Sequence, residues 1–127
     1  MVTLNTRGAM GAGIALGYRE RFPASYKKYR ARCFRGEFTV NTILVHRNGN
    51  EWWVLFPTKD AWHEPSRLEW IEENLRKLAD ICRKYKVAKI AMPLLGCGNG
   101  QLMPEQALAL IEAAFLNHPT ECIVVNL

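Results

Sequence analysis

Short, nearly continuous apolar runs alternate along the chain with longer stretches in which apolar residues return at every third or fourth position. The first rhythm is that of buried strands and the second that of amphipathic helices. Val2 to Asn5 is expected as a buried strand, and Gly13 to about Phe22 as a helix ended near Pro23, with a second helical piece from Ser25 to Arg32. Thr39 to His46 and Trp52 to Phe56 are β-rich. They are separated by Arg47-Asn48-Gly49-Asn50, whose Asn-Gly pair signals a hairpin turn. Ser66-Arg67-Leu68-Glu69 has capping-box spacing, and Leu68, Ile71, Leu75, Leu78 and Cys82 mark one face of a helix running to about Tyr85. Val87 to Met92 reads as a strand buried on both faces. Pro104 to about Leu116 reads as a helix with Leu108, Ile111 and Phe115 inward, and Cys122 to Val125 as a final strand.

Strands alternating with helices define an α/β layered domain with a mixed, mostly parallel sheet. With 127 residues and no repeat, linker or low-complexity segment, residues 1–127 form one domain. A hydrophobic share of 49% and a charged share of 23% are those of a globular protein. No apolar run reaches the roughly 20 residues of a membrane span, and the N-terminus lacks a signal-peptide layout. Cys33, Cys82, Cys97 and Cys122 form no CxxC motif and have no nearby histidine pair. They read as thiols in a reducing cytoplasm, with no metal site and no cofactor expected.

The net charge of +5 is unevenly placed. Residues 1–47 carry nine Lys/Arg against Glu20 and Glu37, a net +7, so the remainder sums to −2. Such a field favours a polyanionic partner near the N-terminal third. The alternative is that Lys27, Lys28, Arg30 and Arg32 form only the wet side of a helix.

Two glycine-rich segments follow predicted strands and precede predicted helices: Gly8-Ala9-Met10-Gly11-Ala12-Gly13-Ile14-Ala15 and Gly96-Cys97-Gly98-Asn99-Gly100. Backbone N–H groups and a helix dipole converge in such turns, which suits a phosphate or pyrophosphate. Ligands of α/β sheets bind beyond the carboxyl ends of strands, where both loops fall. The first loop is no P-loop, lacking a Gly-Lys-Ser/Thr ending. Its G-x-x-G-x-G spacing also departs from the dinucleotide fingerprint.

Phe56-Pro57-Thr58-Lys59 ends the hairpin's second strand, and Phe56, Ala61 and Trp62 flank the lysine. An amine desolvated there has a lowered pKa and serves as nucleophile or base. Equally, Lys59 on spacing alone is an ordinary surface cation. Asn5 at the end of the first strand suits sugar hydroxyls, and Asn99 either does the same or merely tolerates a left-handed backbone. Trp62 and His63 either stack on a base or simply pack. Trp52, Trp53 and Trp70 read as core or hairpin-surface aromatics rather than as a stacking platform. Neither glycine loop holds an acidic residue, and the nearest candidates are Asp60 and Glu64. A two-carboxylate glycosidase mechanism therefore has poor support.

Together these segments resemble a macrodomain, the ADP-ribose-binding fold. The residues that carry the resemblance are Asn5-Thr6-x-Gly8-x-Met10-Gly11-x-Gly13-Ile14-Ala15, Phe56-Pro57-Thr58-Lys59 with Trp62, Pro65-Ser66, and Pro93-Leu94-Leu95-Gly96-Cys97-Gly98-Asn99-Gly100. Phe-Pro-Thr-Lys-x-x-Trp and Gly-Cys-Gly-Asn-Gly narrow it to the lysine-dependent ADP-ribosyl glycohydrolase branch and, within that, the DarG antitoxin macrodomains. The resemblance implies a three-layer α/β/α fold lacking its first edge strand, and removal of ADP-ribose from DNA (thymidine-linked) or from acidic protein side chains. It implies Lys59 as the catalytic lysine at the anomeric carbon of the distal ribose. Asn5, Thr6, Gly8, Met10, Gly11, Ala12, Gly13, Ile14, Thr58, Trp62, Leu95, Gly96, Cys97, Gly98, Asn99 and Gly100 would line the ligand. Implied partners are ADP-ribose, ADP-ribosylated DNA and a cognate ADP-ribosyltransferase toxin, with no membrane. A non-catalytic ADP-ribose reader is the alternative.

Overall fold

The structure is a computed structural model describing residues 1–11, 13–61, 64–95 and 101–125. In chain order its elements are β1 (Val2–Asn5), α1 (Gly13–Arg21), α2 (Pro23–Phe34), β2 (Leu44–Asn48), β3 (Glu51–Lys59), α3 (Leu68–Lys84), β4 (Lys89–Met92), α4 (Pro104–Ala114) and β5 (Glu121–Val124). β3 lies between β1, to which it is parallel, and β2, to which it is antiparallel; β4 and β5 form a separate parallel pair. The amine of Met1 donates to the Ala91 carbonyl at 3.1 Å, which ties the residue ahead of β1 to β4. The ladders are β1-β3-β2 and β4-β5.

Side chains alternate across the strands, so β3 feeds two cores. Leu55 joins Val2 and Leu4 against Tyr18 of α1 and Tyr26 and Tyr29 of α2, whereas Phe56 joins Ile71, Leu75 and Leu78 of α3 and Ile111 of α4. Helices therefore cover both faces around β3, which makes the three layers. The first face is built largely from tyrosines, aromatic rings whose hydroxyls still need partners. Tyr18 finds Ser25 Oγ at 2.5 Å and His46 Nδ1 at 2.7 Å.

Several local expectations are corrected. Pro23 opens α2 rather than merely ending α1, because proline at the first helical turn gives up no hydrogen bond. Thr39 to Ile43 is not strand: Thr39 and Thr42 close a turn on each other, and β2 begins only at Leu44. The hairpin turn centres on Gly49-Asn50, not Asn48-Gly49, with Gly49 at φ +62 and Asn48 paired to Glu51. β3 runs on to Lys59 because its last residues pair with β1.

Ser66 does not cap α3. Arg67 holds that position without a side-chain hydrogen bond, and Ser66 Oγ is buried without a partner. On α3, Leu68 is only half-buried while Asn74 is fully buried. β4 is not buried on both faces, since Lys89 and Ala91 are exposed and only Ile90 and Met92 point into the α3–α4 core. α4 turns Ala107 and Ile111 inward and leaves Leu108 39% exposed. Cys33, Cys82 and Cys122 are free thiols; burial raises all three, Cys122 to about 11.

Leu78 is wholly enclosed and Leu116 is 73% exposed. Leu78→Ala should lower unfolding free energy by about 2–5 kcal/mol, and Leu116→Ala should stay within about 0.5 kcal/mol of the parent. Urea denaturation of both variants measures the contrast.

Candidate functional site

Lys59 is the last residue of β3 and pairs with Asn5, the last residue of β1. The register slips by one between Leu4 and Asn5, so Thr58 is skipped and Lys59 lies level with the root of the first glycine loop. Two parallel strands thus end together. The loop and the lysine emerge at the same, carboxyl, end of the ladder. Lys59 is half-buried, and burial lowers its amine below the ordinary lysine value. A group in this state gives up its proton more readily than a surface lysine.

The loop is held by buried hydrogen bonds. Asn5 Nδ2 donates to the Ala9 carbonyl at 2.9 Å, and Asn5 Oδ1 accepts from the amides of Arg7 at 3.0 Å and Ala9 at 3.3 Å. Tyr29 of α2 donates its hydroxyl to the Asn5 carbonyl at 2.6 Å, and Tyr26 reaches the Gly8 carbonyl at 3.4 Å. Gly8 is buried at φ +86, with Arg30 Cγ 3.1 Å from where a Cβ would stand. Both constraints select glycine there.

Thr6 hydrogen-bonds through Oγ1 to the carboxylate of Asp60, and through its amide to the Asp60 carbonyl at 2.9 Å. Arg7 pairs with the other carboxylate oxygen at 3.1 Å. The Thr6 and Arg7 hydrogen bonds hold the Asp60 carboxyl below the usual range. Asp60 therefore stays ionised beside Lys59 and locks β3's exit to the first loop.

The expected site residues fall into distinct environments. Asn5, Thr6 and Thr58 are buried around the ladder end. Asn5 is 6% exposed and spends its amide on the loop. Met10 and Leu95 are core residues, in the α1–α2 and α3–α4 cores respectively. Gly11 and Gly13 are exposed at the start of α1, Gly13 at φ +59, and Ile14 is half-buried beside them. Ala12, Trp62, Gly96, Cys97, Gly98, Asn99 and Gly100 lie outside the described residues, as does His63.

A family model described as Macro domain matches residues 2–111. The chain belongs to the macrodomain family. A DNA ADP-ribosyl glycohydrolase of Thermus aquaticus is 40% identical over 116 residues, 87% of this chain and 32% of that protein. One of Mycobacterium tuberculosis is 36% identical over 121 residues, 92% of this chain and 34% of that protein. The solved macrodomain of Mycobacterium tuberculosis DarG superposes with a TM-score of 0.90 at 34% identity, covering 97% of this chain and 84% of that one. This macrodomain spans about a third of the length of those curated relatives.

Sequence reasoning missed two groups at the ladder end. Tyr26 and Tyr29 hold the loop from beneath. Their signal was a pair of tyrosines three apart in an otherwise basic helix, a spacing that puts both on one face. Trp70 is no core aromatic: it lines a cavity beside Asp60, together with Arg7 and Phe38. No spacing rule links residues so far apart in the chain.

Tyr29→Phe leaves the buried Asn5 carbonyl without its donor. The expected loss is about 1–3 kcal/mol of unfolding free energy, read by urea denaturation, with faster amide exchange at Arg7 and Ala9.

Proposed function

We propose that this macrodomain is an ADP-ribosyl glycohydrolase removing ADP-ribose from modified nucleic acid, with thymidine-linked ADP-ribose in DNA as its substrate. One observation carries the reading: a lysine amine lowered by burial, fixed by strand pairing beside the root of a glycine-rich loop. The printed names of its relatives support the substrate, and the net +7 of residues 1–47 suits a polyanion.

On this reading the backbone around Gly11, Ala12, Gly13 and Ile14, with that of Gly96, Cys97, Gly98, Asn99 and Gly100, receives the diphosphate. The distal ribose extends from the diphosphate to Lys59. As the glycosidic bond breaks, its electron pair leaves with the base nitrogen, which takes up a proton. The unprotonated amine captures the oxocarbenium-like anomeric carbon, and water then replaces it, releasing ADP-ribose and restoring the amine. Thr58 and Trp62 border the ribose, and Asn5 keeps the loop in register with it.

A cognate ADP-ribosyltransferase is the proposed partner. A Thermosipho africanus DNA ADP-ribosyl transferase-DNA ADP-ribosyl glycohydrolase fusion protein, 30% identical over 120 residues, supports it. Free Cys33, Cys82 and Cys122 suit a reducing cytoplasm. Among the described residues no helix is long and apolar enough to cross a membrane.

The test incubates the protein with ADP-ribosylated thymidine oligonucleotide and ADP-ribosylated glutamate peptide side by side. Lys59→Ala should still bind ADP-ribose by calorimetry while release from the oligonucleotide falls about 10²–10⁴-fold. In the parent, release should rise with pH as the amine loses its proton, with an inflection below the roughly 10.4 of an ordinary lysine. Full turnover by Lys59→Ala would overturn the mechanism. Binding without turnover by the parent would make the protein a reader.

A further inference from the structure

Beside Asp60, at the carboxyl end of β3, lies an open cavity of about 420 Å³. Arg7 and Asp60 form its polar end, and Phe38, Val40 and Trp70 supply apolar wall. Its lining runs from Thr6 and Arg7, at the root of the glycine loop, to Phe38 and Val40 ahead of β2, and Asp60 brings it next to Lys59. A ligand reaching Lys59 from the loop has this cavity beside it, past Asp60.

The wall is firmly built. Phe38 is 1% exposed and packs edge-on against Tyr29, with ring centroids 5.2 Å apart. The carbonyl of Val40 accepts from Asn74 Nδ2 at 2.7 Å, and that of Asn41 from Lys77 Nζ at 2.8 Å. These bonds pin the segment ahead of β2 to α3, so the cavity is preformed. Trp70, in the first turn of α3, carries the guanidinium of Arg67 5.1 Å from its ring centroid. The Arg7–Asp60 pair is largely solvent-exposed, 61% and 40%, so a ligand in the cavity can reach both partners.

Such a space has a size within the range of small-molecule sites. It joins an aromatic wall to an edge that both donates and accepts hydrogen bonds. A nucleobase offers the matching face and edge, and a neighbouring phosphate suits Arg67. A carboxylate side chain on an extended peptide would leave the aromatic wall unused.

Resting on the glycohydrolase reading, we propose that this cavity is the leaving-group subsite. It takes the base from which ADP-ribose is removed, in a single strand where that base is unstacked. Trp70 is the stacking residue, and the Arg7–Asp60 pair meets the base edge.

The test uses the whole chain saturated with ADP-ribose. Adding an unmodified single-stranded thymidine oligonucleotide should shift the Trp70 indole N–H signal in NMR spectra, with the Trp52 indole unmoved. In turnover assays with ADP-ribosylated oligonucleotide, Trp70→Ala should raise KM and lower kcat/KM about 5–100-fold, the worth of one base stack. Trp70→Phe should recover most of the loss, and ADP-ribose affinity, measured in the same samples, reports that each variant is folded. A Trp70 signal unmoved at saturating oligonucleotide, or an unchanged kcat/KM in Trp70→Ala, would sink the subsite. Absence of turnover by the parent would sink the glycohydrolase reading instead and leave the NMR result to judge the cavity.

Discussion

The parallel ladder between Val2–Asn5 and Glu51–Lys59 is the constraint on which everything else hangs. A parallel pair cannot be joined by a tight turn; its crossover needs a dozen residues or more. Here the crossover holds α1, α2 and β2, and it returns the chain as a strand buried on both sides. Leu55 and Phe56, adjacent in sequence, enter opposite cores. A shift of one residue would exchange those two side chains between cores of different shape, so the packing fixes the register. The same register sets Lys59 against Asn5.

A half-buried amine at that position costs desolvation in its charged form, and that cost is what lowers its pKa. Asp60, next in sequence, hydrogen-bonds Thr6 and pairs with Arg7, so this acid serves as a latch between the end of β3 and the first loop.

Rigid support continues behind the site. Tyr29 bridges α2 to the Asn5 backbone, and Asn74 bridges α3 to the segment before β2 and, at 3.4 Å, to the Pro57 carbonyl. Asn74 Oδ1 and Ser66 Oγ remain buried and unsatisfied. An orphaned buried acceptor costs about 1–3 kcal/mol. Asn74 thus holds two carbonyls in place while its own acceptor stays unpaired. Both helix layers therefore reach the same strand end, one through a tyrosine and one through an asparagine.

The order of strands and helices was legible from periodicity, because each element buries one continuous face and repeats it. Glycine spacing and the Phe-Pro-Thr-Lys run located the first loop and the lysine for the same local reason: turn geometry and strand ends are written in neighbouring residues. Contacts between distant segments were not legible. Trp70 read as a core or hairpin-surface aromatic, and Val87 to Met92 as a strand covered twice. Which helix covers which face, where a tyrosine hydroxyl lands, and how Arg7, Phe38 and Trp70 come to share a cavity follow from packing two layers on one twisted ladder. That geometry depends on the whole chain at once, so only the tertiary structure decided it.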